Sequence, residues 1–219
     1  MSIKGAIFDL DGVIVDSVPL HFKAWKKMFA EYGHEFTTED YLAKVDGRPR
    51  LEGAAAILTE LSPQEVKLAG DKKQAYFLEL LEKGPIDTFD STIKLIKEMK
   101  DQGLKLAMAS SSKNAGYILR KVGLFELFDA DVSGADLKKG KPDPEIFLKA
   151  ADKLGLASRE CVVFEDARAG VEAARAGGFY CVGIDRHGKL DHDLGADLYV
   201  NDLSETSLDR ILKLDEKSI

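Results

Sequence analysis

The sequence predicts an α/β fold: a doubly wound parallel sheet interrupted, directly after its first strand, by a small four-helix insertion. Three observations carry this. Six short β-rich runs stand out, most of them apolar at successive positions rather than at alternate ones, the pattern of strands buried on both faces of a parallel sheet. Amphipathic segments alternate with those runs, which implies right-handed βαβ units. One stretch, residues 17 to about 84, breaks the alternation and contains helical patterns alone.

In chain order the strand runs are "KGAIFDLD" (4–11), "LKLAMASS" (104–111), "DADVSG" (129–134), "ECVVFED" (160–166), "YCVGID" (180–185) and "ADLYV" (196–200). Between them, "STIKLIKEMKDQG", "SKNAGYILRKVG" and "DPEIFLKAADKLG" end at Gly103, Gly123 and Gly155, each a C-terminal helix stop. The last opens with Asp143 as N-cap and Pro144 at the first helical position. "ARAGVEAARAGG" follows the fourth run. In the insertion, Val18, Phe22, Trp25, Phe29 and Tyr32 make one helical stripe that ends at Gly33. A second helix starts near "TTED" and a third covers "LEGAAAILTEL". A fourth starts at Ser62-Pro63 with Glu65 completing a capping box. The core is expected over 1–15 and 86–219 and the insertion over 16–85.

Composition narrows the function classes. Net charge is −7, with no basic tail or stripe, which disfavours nucleic acid. No apolar run approaches the roughly 18 residues of a membrane span. Two cysteines, Cys161 and Cys181, lie inside apolar segments and read as buried thiols, which suits a reducing cytoplasm.

Ligands of parallel α/β sheets bind beyond the carboxyl ends of the strands. Those ends carry Asp9 and Asp11 after the first run, Ser110, Ser111, Ser112, Lys113 and Asn114 after the second, Lys141 in the loop after the third, and Glu165 and Asp166 after the fourth. Clustered oxygen ligands suit a hard divalent ion such as Mg²⁺. Serines, a lysine and helix-start N–H groups suit a phosphate. Together with a spare carboxylate they point to phosphoryl transfer, in which a carboxylate can be the nucleophile. Each motif alone has a plainer reading. Asp-x-Asp-Gly can be a turn, the serines can cap the next helix, and His21, flanking the stripe, can be a satisfied core histidine.

At this point the sequence resembles the haloacid dehalogenase-like phosphotransferases. Asp9-Leu10-Asp11-Gly12, the strand ending in Ser110, Gly140-Lys141-Pro142-Asp143-Pro144, and Glu165-Asp166 match that family's four motifs in order. The resemblance implies a Rossmann-like core. It implies Asp9 as nucleophile and Asp11 as general acid/base whose carbonyl meets the metal. Glu165 and Asp166 would complete a Mg²⁺ site, and Ser110, Ser111 and Lys141 would hold the phosphoryl group. "HFKAWKKMFAEYG", "GRPR" and "ASSSKN" are similar to the β-phosphoglucomutase subfamily. That similarity implies that His21 hydrogen-bonds Asp11 when the insertion closes as a cap. It implies that Gly47, Arg48, Arg50, Lys72, Trp25, Ser112, Lys113 and Asn114 contact the substrate, with Arg50 on its second phosphate. The expected substrate is a small phosphorylated sugar, a hexose phosphate, and the expected protein a monomer. "GRPR" is also similar to the mutase-like sugar-phosphate hydrolases, so two outcomes stand: a mutase interconverting β-glucose 1-phosphate and glucose 6-phosphate, or a phosphatase. A non-catalytic phosphate binder is disfavoured by the intact Asp9.

Overall fold

The computed structural model describes residues 2–45, 48–134, 137–186, 188 and 190–217. The chain forms two compact units, Met1–Asp16 with Thr88–Ile219, and Ser17–Asp87.

The first unit is built on a six-stranded sheet. Its strands are β1 Gly5–Phe8, β2 Lys105–Ser110, β3 Ala130–Ser133, β4 Cys161–Glu165, β5 Tyr180–Ile184 and β6 Leu198–Val200. The order is β3-β2-β1-β4-β5-β6, every pair parallel. Strand β1 is central because its four residues are buried on both faces and offer no polar side chain to an edge. On one face Ile7, Ala107, Val132, Val163 and Cys181 pack against Ile146, Phe147, Val171 and Ala174. These last come from α7 (Glu145–Leu154) and α8 (Arg168–Ala176). Ala6 and Phe8, which face the other way, are equally buried, and Phe8 stacks on Phe164 with ring centroids 4.4 Å apart. Helix α5 (Asp90–Asp101) precedes β2, and helix α6 (Ala115–Lys121) lies between β2 and β3.

The second unit is helical: α1 Val18–Glu31, α2 Thr38–Asp40 running into a wider-wound turn at Tyr41–Val45, α3 Arg50–Ala55 and α4 Pro63–Lys83. The expected capping box forms at Ser62: its hydroxyl accepts from the Glu65 N–H, and Glu65 accepts from the Ser62 N–H at 2.8 Å. Helix α3 is shorter than the periodicity of 51–61 predicts. It ends at Ala55, where Ile57 and Leu58 both donate to the Ala54 carbonyl, and this turn buries the Leu58 side chain. Trp25, Met28, Phe29, Phe36, Tyr41 and Leu58 form this unit's own core.

Candidate active site

The centre of the sheet gathers three strand ends. Asp9 follows β1 and its N–H donates to the Phe164 carbonyl of β4 at 3.0 Å, so the aspartate continues the sheet by one residue. Ser110 ends β2 on one side and Glu165 ends β4 on the other; both are buried. Ser110 Oγ accepts from the Ser112 N–H at 3.1 Å, and Ser112 Oγ accepts from the Asn114 N–H at 3.2 Å. The serine run therefore folds over itself before α6, with Ser111 and Lys113 exposed.

Lys141 reaches in from the loop before α7. Its ammonium donates to Asp9 Oδ1 at 2.6 Å and to Glu165 Oε1, and lies 4.9 Å from the centre of the Phe147 ring. The lysine side chain is only 11% exposed, the aspartate 10% and the glutamate 1%, so this is a buried triad. Glu165 Oε2 accepts from the Ala167 N–H at 2.9 Å. Both of its oxygens are thus engaged inside the protein. Glu165, expected among the metal ligands, is in the structure also the seat of Lys141. Gly170 makes that seat possible, since a Cβ there would fall 1.9 Å from the Glu165 carboxyl.

Asp11 and Asp166 stand beside the triad. The loop after β1 is tight: Ile14 and Val15 both donate to the Leu10 carbonyl, and Gly12 donates to Val15. Gly12 has a φ of +76°, and a Cβ on it would lie 1.8 Å from Asp166 Oδ2. A glycine is needed there on both counts. Burial raises Asp9 to about 7; Lys141 opposes the shift, while Glu165 and Asp11 add to it. Burial also lifts Asp166 well above the usual carboxylate range, with Glu165 and Asp9 as the next causes. Lys141 is raised despite its burial, because Asp9 and Glu165 outweigh the desolvation.

Four neighbouring carboxylates against one ammonium leave an excess of negative charge, and a hard cation is the chemistry that relieves it. Among the described residues, no three His, Cys, Asp or Glu side chains form a ready metal cage. Mg²⁺ typically takes one or two carboxylates and fills its other positions with water and substrate phosphate. The residues present fit that ion.

The helical unit holds a second cluster. Lys73 is 4% exposed and donates to His21 Nδ1 at 2.7 Å; its ammonium lies 5.0 Å from the Trp25 ring and 5.1 Å from Phe77. His21 also stacks on Phe77 with centroids 4.2 Å apart. An ammonium only donates, so Nδ1 is the acceptor and the ring proton sits on Nε2. Burial, then the Lys73 charge, lowers His21 to about 3. His21 is therefore a neutral Nε2–H donor.

The other cap candidates are placed differently from expectation. Lys72 points to the surface, half exposed, and pairs with Glu31 at 2.9 Å. The residue that turns inward to His21 is its neighbour Lys73, which the sequence reading missed. Trp25 was expected at the substrate, but it is 4% exposed and stacks on Phe29 in the helical core, where it backs Lys73. Arg50, at the start of α3, pairs with Asp71 at 3.1 Å, and Arg48 is exposed. Gly47 lies outside the described residues.

Comparison with known proteins fits this arrangement. The family model described as haloacid dehalogenase-like hydrolase matches residues 3–178. The chain belongs to that family. It is an enzyme of phosphotransferase or phosphatase type within the family's β-phosphoglucomutase-like branch. It is similar to a β-phosphoglucomutase of Bacillus subtilis (strain 168), at 36% identity over 94% of this chain and 93% of that one. It is also similar to a phosphorylated carbohydrates phosphatase of Thermotoga maritima, at 34% identity over 80% of this chain and 82% of that one. Among solved structures, an archaeal β-phosphoglucomutase from Pyrococcus sp. strain ST 04 superposes with a TM-score of 0.82 at 32% identity, covering 96% and 97% of the two chains. Among the described residues, no helix is long and apolar enough to cross a membrane.

Proposed function

We propose that this enzyme carries out Mg²⁺-dependent phosphoryl transfer on a hexose phosphate through an aspartyl-phosphate on Asp9, converting β-glucose 1-phosphate to glucose 6-phosphate. The observation that carries the chemistry is the buried Asp9–Lys141–Glu165 triad at the centre of the sheet. The similarity to β-phosphoglucomutases supports the substrate.

In this reading Asp9 attacks phosphorus and the P–O ester bond breaks. The departing sugar oxygen takes its proton from Asp11. In the mutase reading a hydroxyl of the sugar monophosphate then attacks the aspartyl-phosphate, Asp11 takes its proton, and the bisphosphate so formed gives its other phosphoryl group back to Asp9 as glucose 6-phosphate leaves. Lys141, fixed by Glu165, neutralises charge on the transferring group, with Ser110 as a further hydrogen-bond partner. Bound Mg²⁺ would be held by Asp9, Asp166, the Asp11 carbonyl and Glu165 and would supply electrostatic stabilisation of the equatorial oxygens. His21 would donate Nε2–H toward Asp11 or the substrate once the helical unit closes as a cap. Arg50, exchanging Asp71 for a ligand, would grip the second phosphate bidentately.

A second reading keeps every residue in place and lets water attack the aspartyl-phosphate. The similarity to the Thermotoga maritima phosphatase favours it. One incubation separates the two: β-glucose 1-phosphate, Mg²⁺ and a catalytic amount of β-glucose 1,6-bisphosphate. Glucose 6-phosphate without inorganic phosphate supports the mutase. Stoichiometric phosphate release replaces it with the phosphatase. No turnover of any hexose phosphate overturns both.

A further inference from the structure

Arg186, in the loop after β5, belongs to no motif, yet its side chain is only 10% exposed and it reaches the chain at the root of the active-site loop. Nη1 donates to the Gly12 carbonyl at 2.6 Å. Nη2 donates to Asp202 Oδ2 at 3.0 Å and approaches Thr92 Oγ1 at 3.4 Å. The guanidinium carbon sits 3.6 Å from the centre of the Phe89 ring. Two of these partners are themselves tied in. Thr92 donates to the Val13 carbonyl at 2.7 Å, and Ser91 donates to Asp202 at 2.9 Å. One side chain thus fastens four segments: the loop that carries Asp9 and Asp11, the start of α5, and the loops after β5 and β6.

Stability alone is a weak reason for this arrangement. Asp202 is 35% exposed, and an ion pair open to water on one side contributes little. What an apolar side chain cannot do is hold the carbonyl of the residue that follows Asp11. The same glycine lies against Asp166, so its position sets the distance between the acid/base aspartate and a proposed metal ligand.

We infer that Arg186 is a positioning residue for the reaction: by clamping the Gly12 carbonyl it fixes Asp11 where the leaving oxygen needs its proton. Lysine cannot replace it, because a point charge neither forks between Gly12 and Asp202 nor stacks on Phe89. The inference rests on phosphoryl transfer at Asp9 with Asp11 as general acid, and not on which sugar is used.

The test compares wild type and Arg186→Lys on two esters: the hexose phosphate that wild type turns over fastest, and p-nitrophenyl phosphate, whose leaving group departs with little help from an acid. Misplacement of a catalytic group by a fraction of an ångström can cost on the order of tenfold or more. The expected result is that order of loss in kcat on the hexose phosphate with KM little changed, and a loss several times smaller on p-nitrophenyl phosphate. Millimolar guanidinium should restore part of the hexose-phosphate rate to Arg186→Ala. Equal losses on both esters, an unchanged kcat, or a loss confined to KM would overturn the assignment. Wild type inactive on every ester would instead refute the phosphoryl-transfer reading. Thermal melting of Arg186→Lys checks that the compared proteins are folded; if Arg186→Ala does not fold, the ester comparison on Arg186→Lys decides alone.

Discussion

The two units handle charge in opposite ways. In the α/β unit the central ion pairs of Lys141 with Asp9 and Glu165 are buried, and Arg186 is buried against a partly exposed Asp202. In the helical unit the pairs Lys72–Glu31, Arg50–Asp71 and Lys67–Asp71 lie on the surface, and Lys73 against His21 is the inward exception. Buried pairs are costly to assemble and costly to break, so they hold geometry. Surface pairs exchange readily for water or ligand. In the proposed reading, one unit keeps the reaction centre rigid and the other lets go of its partners when an anion arrives.

Breaking the rigid side should have the largest effects. Asp9→Asn removes the nucleophile while keeping its shape, and turnover should fall by about 10⁴-fold or more with the melting curve preserved. Substantial residual activity in a carefully purified sample would refute the mechanism. Lys141→Met should abolish most activity too, but with a second signature that Asp9→Asn lacks. It leaves Asp9 and Glu165 buried without their cation, so stability should drop by about 3–5 kcal/mol in urea denaturation.

The helical unit sharpens the contrast through adjacent residues. Lys73→Ala deprives the partly buried His21 Nδ1 of its donor and should cost about 1–3 kcal/mol. Lys72→Ala should change stability little, because its pair with Glu31 is exposed. Equal costs would mean that the inward and outward lysines had been misassigned. Arg50→Ala should likewise leave stability nearly unchanged, yet raise KM for a hexose bisphosphate far more than for acetyl phosphate.

A pH titration tests the inward histidine itself. His21 is held neutral in the fold, at about 3, whereas an unfolded histidine titrates near 6.5. Between those values the unfolded chain binds a proton that the folded one does not. Stability should therefore be full above about 6.5 and decline as pH falls toward 3. Chemical denaturation of His21→Gln across that window should show a shallower decline than wild type; parallel curves would remove His21 from the account.

How much of this was legible follows the same division. The strands were readable because continuous apolar runs have few alternatives to burial on both faces. The central residues were readable because a parallel sheet delivers strand ends to one edge, so Asp9, Ser110 and Glu165 had to converge. Glu165 was placed with the metal because its identity says oxygen ligand; only the packing shows that it also receives Lys141 and the Ala167 N–H. On a helix, neighbouring residues point about 100° apart, and the sequence offers little to choose between Lys72 and Lys73. The same applies to Trp25, whose stripe position fits either a core or an interface. Arg186 left one usable signal: it follows a buried strand at the ligand-binding edge, where a lone arginine in "GIDRHG" is worth noting.

Strand β1 pairs with residues 105–108 on one side and 161–164 on the other. The pieces of the reaction centre are thus among the most distant segments of the chain, with the whole helical unit spliced between the first two. Contacts that close long loops are slow to form. In refolding from urea, catalytic competence should return with the last structural phase, never ahead of it. Fragments made by cutting the chain between β2 and β4 should be inert singly and regain activity only on mixing. The central strand makes the site rigid once formed, and for the same reason leaves it incomplete in a nascent chain until β4 has been made.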